Sequence, residues 1–290
     1  MRPGSDAIGP LHRAKQSAKV LFNLRRLPRP TTLEEQVYRA VVQDGDVCFD
    51  IGANVGWIAL FLARTAGVAG KVIAFEPVWP TYMKMCANIQ NTVNVKAPIF
   101  TMPFGLAETE KTANIHVPDG RFEFGSLSRP DELAKVFPDM EITQYECHFM
   151  SLDDFLRSSN GLVADFWKLD VEGAELFVLR GASEHFAAGN RPLIVAEVYA
   201  PWQQRCGYGP WEFFAPLLGS GYRFLFLCQG GLIEHFPSES APFPPEFEHG
   251  YNVVAYIPGR HAERITRLAR LRIGTGQARR VAPGIYPNHP

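Results

Sequence analysis

The chain has 290 residues, 46% of them hydrophobic, so it is long enough for one large globular domain or two small ones. No apolar run approaches the ~20 residues of a membrane span, and the first residues lack the apolar core of a signal peptide. The five cysteines are scattered without a Cys-x-x-Cys pair, which predicts free thiols and a cytoplasmic protein.

The formal net charge of -1 hides an uneven distribution. Residues 1–30 hold seven Lys or Arg and one acid, residues 259–290 hold seven Arg and one acid, and residues 31–258 carry a formal charge of -13. Basic arms that pack on the acidic body or on a second subunit explain this pattern, as does binding of the arms to nucleic acid or to an anionic surface. An acidic body argues against a nucleic-acid enzyme, so we expect no nucleic-acid partner and no stable membrane insertion.

The first predicted elements lie in the N-terminal arm and directly after it. Residues 8–27 place apolar side chains among basic ones, which predicts a cationic amphipathic helix. Thr32 and Glu35 form a capping box that predicts a second helix, through Val42. We predict that residues 1–32 form a basic arm, and such arms are one route to a homodimer.

Residues 50–56, Asp-Ile-Gly-Ala-Asn-Val-Gly, form the central motif of the chain. They continue a short apolar run that predicts the central strand of a parallel sheet. Gly52 and Gly56 allow a tight turn with close backbone approach, and residues 57–63 predict a helix with a buried face. A strand, a glycine turn and a helix form half of a nucleotide-binding unit.

Glu76, followed by Pro77, comes directly after the next predicted strand. It lies 20 residues past Gly56, where such units place a ribose-binding acid. The motif lacks the third glycine of a dinucleotide site, and Asp50 would repel phosphate but suits the amino group of an amino-acid-like ligand. S-adenosylmethionine fits, because it has an amino acid end and a ribose but no phosphate. A purely structural turn is the alternative.

The strand–helix alternation continues through a helix over residues 79–91 and a strand over residues 98–104, which predicts a parallel doubly wound α/β sheet. It lapses over residues 105–150, where strand-like pieces over residues 113–117 and 145–150 flank a polar loop over residues 120–139. An insertion of this length usually belongs to the substrate side of a site. Its Ser126 and Ser128 are candidate substrate contacts, although loops of Ser and Gly are common.

Two histidines of the insertion are candidate bases, His116 and His148, and His148 is also a candidate substrate contact. Lone histidines are more often structural. No group of His and Cys has the spacing of a zinc site, and we expect no metal.

The alternation resumes with a strand over residues 165–170. Lys168 and Asp170 share a face of this strand, so they form either a buried structural pair or part of a site. Open α/β sheets bind ligands at such strand ends. We predict that Glu172 is a general base, with Lys168 and Asp170 assisting it, and that Asp170 also contacts the cofactor. The next apolar strand closes on Glu197, a further candidate substrate contact.

The last third of the chain predicts a helix over residues 211–218 and strands over residues 222–228 and 252–257. A hairpin-like return follows Cys228. It predicts an antiparallel last strand, which distinguishes methyltransferases from dehydrogenases among such sheets.

These motifs together resemble the FkbM-type methyltransferases, a family of S-adenosylmethionine-dependent O-methyltransferases that act on sugar and polyketide hydroxyls. The resemblance covers about residues 33–258 and rests on residues 49–56, 75–77, 151–155 and 168–175, with Leu179-x-Gly181. It implies a class I methyltransferase fold, with a seven-stranded, mostly parallel sheet, an antiparallel last strand and helices on both faces. The cofactor residues that it implies are Asp50, Gly52, Asn54, Gly56 and Glu76, beside Pro77.

The resemblance implies methyl transfer from S-adenosylmethionine to a hydroxyl of a small molecule or glycan, by a methyltransferase domain over residues 33–258. Residues 259–290 then form a basic tail outside the domain. An NAD-dependent oxidoreductase is the alternative, weakened by the missing glycine and by Asp50. A nucleic-acid methyltransferase lacks its Asn/Asp-Pro-Pro-aromatic motif, and the intact cofactor motifs argue against a binding module without catalysis.

Overall fold

The computed structural model describes residues 33–118, 125–128, 141–228, 231–245 and 250–270. The strands, in chain order, are β1 Val47–Ile51, β2 Lys71–Phe75, β3 Ile99–Met102, β4 Gly105–Ala107, β5 Lys111–Pro118, β6 Ile142–Ser151, β7 Phe166–Leu169, β8 Leu193–Tyr199, β9 Arg223–Cys228, β10 Gly231–His235 and β11 Gly250–Tyr256. The helices are α1 Leu33–Val41, α2 Trp57–Thr65, α3 Trp79–Gln90, α4 Leu152–Ser158, α5 Glu175–Arg180, α6 Ser183–Ala187, α7 Ala200–Arg205, α8 Pro210–Gly219 and α9 Ala262–Ala269.

Several predictions fall outside the described residues. These are the arm helix over residues 8–27, the cap at Thr32, most of the polar loop over residues 120–139 and the tail from residue 271 onward. A homodimer joined through the arms therefore stays a prediction.

The main sheet has eight strands in the order β10-β9-β11-β8-β7-β1-β2-β3. The five strands from β3 to β8 in this order run parallel, whereas β11 is antiparallel to both β8 and β9. The predicted mostly parallel sheet with an antiparallel last strand is thus confirmed. An eighth strand, β10, pairs antiparallel with β9 and extends the edge beyond the seven strands predicted.

The sheet has a switch point between β1 and β7. From β1 the chain proceeds through β2 to β3 on one side, and it later fills β7 and β8 on the other side. At such a point the connections leave in opposite directions, so a crevice opens beyond the carboxyl ends of the two strands. Asp50 lies in β1 and Asp170 follows β7, which brings the two sequence motifs to this crevice.

Both faces of the sheet are buried. Neighbouring residues of a strand point to opposite faces, and each face packs into its own hydrophobic cluster. In β1, Phe49 joins one hydrophobic cluster and Cys48 joins the other. Trp167 of β7 stacks on Phe49 with ring centroids 6.2 Å apart and is fully buried. This packing makes the strand ends a rigid base for the loops that follow them. No helix in the described ranges has the length and apolarity that a membrane span requires.

The predicted insertion forms a second sheet of three strands, in the order β4-β6-β5. The predicted strand pieces over residues 113–117 and 145–150 lie within β5 and β6, which pair antiparallel. Their inward side chains share a small core with Val78, two residues past Glu76. The insertion therefore packs directly beside the loop after β2. Ser151 caps α4, because its hydroxyl accepts the Asp154 N–H at 3.0 Å.

Helix α9 lies beyond residue 258, where the sequence predicts that the domain ends. Its Leu268 is fully buried, and Arg264 donates to the buried Asp46 at 2.8 Å and to the Val41 carbonyl at 2.7 Å. The first part of the basic tail is thus packed on the body of the protein, as one of the two explanations of the arms requires.

Candidate functional site

The loop between β1 and α2, residues 52–56, is called the glycine loop here. Gly52 has φ 81°, and a Cβ at this position would lie 1.9 Å from the Asp170 carbonyl oxygen. Any side chain here would push the loop away from the residues after β7, so only glycine fits. The close approach places the backbone of the two strand ends in contact across the switch point.

Glu76 holds the glycine loop from the neighbouring strand. Its carboxylate accepts the N–H of Asn54 and the N–H of Val78, both at 2.9 Å, and the side chain is buried. Asn54 has φ 49°, a backbone conformation that this hydrogen bond helps to fix. Each carboxylate oxygen can accept two hydrogen bonds, so capacity remains for a ribose hydroxyl.

Lys168 is a buried cation at the centre of the site. Its Nζ donates to the Gly52 carbonyl at 2.6 Å and lies 3.2 Å from Asp170 Oδ2 and 3.6 Å from Asp50 Oδ1. Burial alone lowers the pKa of Lys168, but the two carboxylates outweigh burial, and the net pKa is raised. One cation thus links the glycine loop to both strand ends.

Asp50 is fully buried and is the register partner of Lys168 across β1 and β7. Burial raises the pKa of Asp50, and the Lys168 charge opposes that shift. The cation that the sequence predicts beside Asp50 is therefore a lysine of the protein. Lys168 joins the Asp50 carboxylate to the glycine loop, and a contact between Asp50 and a cofactor stays a prediction.

Residues 170–174, called the acidic loop here, connect β7 to α5. The loop contains two consecutive residues in the left-handed region, Glu172 with φ 52° and Gly173 with φ 95°. Glu175 is buried below it, and burial raises the pKa of Glu175 to about 7. The loop therefore presents Glu172 on a turn that is constrained by its backbone conformation.

Three carboxylates converge at the end of β7 and β8 and are called the acidic cluster here. One oxygen each of Asp170, Glu172 and Glu197 lies within 4.8 Å of the others. Burial, followed by the charges of Asp170 and Glu172, raises the pKa of Glu197 well above its usual range. Burial and the neighbouring charges therefore favour the protonated form of Glu197. Oxygen donors at this spacing also match the ligands of a hard divalent cation. No local pattern in the sequence predicts that Glu197 lies beside Asp170 and Glu172.

The residues predicted from the insertion lie in two places. Ser126 is buried, and its hydroxyl donates to the Glu172 carbonyl at 3.1 Å, so it meets the acidic loop directly. Ser128 contacts Ser126 through its hydroxyl and its N–H. His148 lies on β6, half exposed, with its Nε2 3.6 Å from Glu110. The His116 N–H donates to the Ser126 carbonyl at 2.9 Å, and Ser126 in turn contacts the acidic loop.

We expect the protein to lose stability between pH 6.5 and pH 8. Burial raises the pKa of Glu76 and Glu175 to about 7 from a usual 4.5, so the folded chain keeps protons that the unfolded chain has released. Their contribution is complete below pH 4.5 and is lost as the pH rises through 7. His185 and His261, whose pKa burial lowers to about 4, act in the opposite sense only below 6.5.

Denaturant titrations at pH 6.5 and pH 8 measure this loss. The Glu76→Gln variant should lose about 1 kcal/mol less than the native protein over this interval, because one titrating group is absent. An equal loss in both proteins would show that Glu76 keeps its charge throughout this range.

Comparisons with known proteins agree with this arrangement. A family model described as "Methyltransferase FkbM domain" matches residues 50–227, more than half of the chain. The matched segment includes the glycine loop, Glu76, Lys168 and the acidic loop. Over 175 residues the chain is 24% identical to the AMB antimetabolite synthetase AmbE of Pseudomonas aeruginosa, a match that covers 51% of this chain but only 8% of AmbE.

Two solved structures are also similar to the chain. An O-methyltransferase from Bacillus cereus, solved in complex with SAH, is 13% identical with a TM-score of 0.43, over 87% of this chain and 93% of that chain. An rRNA methylase from Streptococcus thermophilus is 11% identical with a TM-score of 0.39, over 79% of this chain and 96% of that chain.

Proposed function

Because the chain belongs to the FkbM methyltransferase domain family, we propose that it is an S-adenosylmethionine-dependent O-methyltransferase that acts on a hydroxyl of a small molecule or glycan. The observation that supports this most is the meeting of two loops at the switch point of the sheet. The glycine loop, held by Glu76 and Lys168, supplies a cofactor side, and the acidic cluster adjoins it. A sugar or a polyketide-type natural product is the class of acceptor that we infer.

The cofactor side fits S-adenosylmethionine on two counts. Glu76 offers carboxylate oxygens that can accept ribose hydroxyls, and Gly52 and Gly56 let the loop pack closely on Asp170 and Met85, which fixes its path beside Glu76. The net negative surroundings of Asp50, Glu76 and Asp170 disfavour a phosphate group but tolerate a sulfonium and an amino group. Pro77 and Asn54 complete the residues that we assign to this side.

The acceptor side must align a hydroxyl and remove its proton. S-adenosylmethionine supplies an activated methyl on sulfur, and the hydroxyl oxygen displaces that sulfur in line as it loses its proton. Within the acidic cluster Asp170 is paired with Lys168, and burial beside Asp170 and Glu172 raises the pKa of Glu197. We therefore assign proton acceptance to Glu172, and orientation of the acceptor to Glu197, Ser128 and the insertion.

Isotope transfer tests this proposal. Labelled S-adenosylmethionine, incubated with the protein and a metabolite extract, should yield a labelled product whose new methyl group mass spectrometry places on oxygen. A parallel thermal-shift series should show a higher Tm with S-adenosylmethionine and no change with NAD. Stabilisation by NAD alone would instead favour an oxidoreductase, and a methyl group on nitrogen or carbon would contradict O-methylation.

Glu76→Ala should weaken S-adenosylmethionine binding by ~1–3 kcal/mol, because two ribose hydroxyls lose a charged acceptor. The same change removes the partner of the Asn54 and Val78 N–H groups, so it should also lower the Tm. Calorimetry on the folded variant measures the affinity. Glu76→Gln is the matched control, since its amide oxygen keeps one acceptor in place. An unchanged affinity in the alanine variant would mean that Glu76 serves the loop alone.

A further inference from the structure

The acidic loop holds Glu172 in a conformation that the residue does not favour by itself. A glutamate at φ 52° is sterically disfavoured by roughly 1–2 kcal/mol, and it is followed by Gly173 at φ 95°. A Cβ on Gly173 would lie 2.7 Å from the backbone of Trp202, so the loop is pressed against α7. Contacts from outside the loop must stabilise this turn.

Glu175 makes these contacts from below the loop. Its Oε1 accepts the N–H of Val171 and the N–H of Gly173, both at 3.1 Å. The two amides lie on either side of Glu172 in the chain, so one carboxylate oxygen fixes the backbone before and after that residue. Above the Glu175 pKa of about 7 the acceptor is charged, and such hydrogen bonds are about twice as strong as neutral ones. Glu175 is 1% exposed and cannot reach an acceptor molecule itself.

Tyr208 orients Glu175 in turn. Its hydroxyl donates to Glu175 Oε2 at 3.3 Å and accepts the Leu176 N–H at 3.3 Å. The carboxylate is therefore held at both oxygens, by the acidic loop on one and by Tyr208 on the other. This leaves Oε1 pointed at the two loop amides.

Ser126 fixes the same residue from the insertion. Its buried hydroxyl donates to the Glu172 carbonyl at 3.1 Å and accepts the Ser128 N–H at 3.3 Å. The hydroxyl that the sequence predicts to contact substrate is thus engaged with the acidic loop. Ser126 reaches an acceptor only through Glu172.

From these contacts we propose that Glu175 and Ser126 are positioning residues that hold Glu172 in place to accept the acceptor's proton. The inference rests on the proposed function and deepens it. A carboxylate that is displaced by about 1 Å from its productive position can lose ~10²-fold in rate, so the backbone ties around Glu172 should matter for turnover but not for cofactor binding.

The test is a double-mutant cycle in the full-length chain. The rate of labelled methyl transfer from S-adenosylmethionine into a mixed library of hydroxylated glycosides and macrolides is measured for Glu175→Ala, Glu172→Gln and the double variant. Glu175→Ala alone should lower the rate at least ~10-fold with the cofactor dissociation constant within about threefold. In the Glu172→Gln background it should lower the rate less than about threefold further, because Glu175 acts through Glu172. Equal losses in both backgrounds would refute the proposal.

A conservative variant separates positioning from folding. Glu175→Gln keeps an oxygen for the Val171 and Gly173 amides and should restore the rate to within about threefold of the native protein. Ser126→Ala and Tyr208→Phe each remove one of these hydrogen bonds. In the Glu172→Gln background neither should lower the rate of methyl transfer more than about threefold further. These two variants keep the test available if Glu175→Ala does not fold. A Glu175→Gln variant as slow as Glu175→Ala would contradict the inference. Full activity of Glu172→Gln would instead contradict the assignment of the base.

Discussion

Glu172→Gln should lower the rate of methyl transfer at least ~10²-fold while the dissociation constant of S-adenosylmethionine changes by no more than about threefold. The amide has the shape of the carboxylate but cannot take a proton as the new carbon–oxygen bond forms. We assign the cofactor contacts to the glycine loop and Glu76, which the substitution leaves intact. Single-turnover rates and calorimetry on the same preparation measure the two quantities.

His148→Ala is the matched control, since His148 is one of the two histidines that the sequence offers as a base and lies on β6 beside Glu110. It should retain activity within about threefold. An active Glu172→Gln together with an inactive His148→Ala or His116→Ala would place the base in the insertion.

Turnover should also survive EDTA. A complete loss on chelation would mean that the acidic cluster serves as a cation site rather than as a proton acceptor.

The parts of the site that the sequence predicts well are those that follow from local spacing. Gly52 and Glu76 lie at fixed distances from two apolar strands, and neighbouring parallel strands bring their carboxyl ends to one edge. In the structure the Asn54 N–H joins the glycine loop to Glu76. The strand pieces of the insertion are also visible as alternating runs, and β5 and β6 extend them by one to three residues at each end.

The role of Lys168 depends on pairing between strands that are more than a hundred residues apart. The sequence shows Lys168 and Asp170 two residues apart and so predicts a pair between them. That Lys168 also faces Asp50 follows from the register of β1 against β7, which no local pattern specifies. A buried acid near the end of one central strand and a buried lysine near the end of another are the signal from which this pair could be inferred.

The edge strand β10 illustrates a second reason for the differences. Its residues 231–235 are partly exposed and begin with a glycine, so the run has neither the apolar content nor the alternation of a core strand. It is stabilised by hydrogen bonds to β9, a contact made by the hairpin.

The role of Glu175 is also hard to predict from the sequence. Its carboxylate accepts amides two and four residues earlier, in a loop whose backbone conformation is unusual.

Lys168→Met should destabilise the folded protein by ~3–5 kcal/mol, because it leaves the fully buried Asp50 carboxylate without its cation. Methionine fills a similar volume, so the loss reports on charge rather than on a cavity. The Gly52 carbonyl also loses a donor at 2.6 Å, and we expect weaker cofactor binding as well. Urea denaturation followed by tryptophan fluorescence measures the free energy of unfolding.

The double variant Asp50→Asn/Lys168→Met is the control for this explanation. It removes both charges, so it should be more stable than Lys168→Met, although one substitution has been added. The pH dependence gives an independent check. Without Lys168 the pKa of Asp50 in the folded variant lies further above its unfolded value, so stability lost at pH 8 should be partly regained as the pH falls and Asp50 takes up a proton. Asp50→Asn completes the cycle. If the double variant loses as much free energy of unfolding as Asp50→Asn and Lys168→Met together at every pH, Asp50 and Lys168 are not coupled. Asp170 is then the carboxylate that stabilises the buried Lys168 charge.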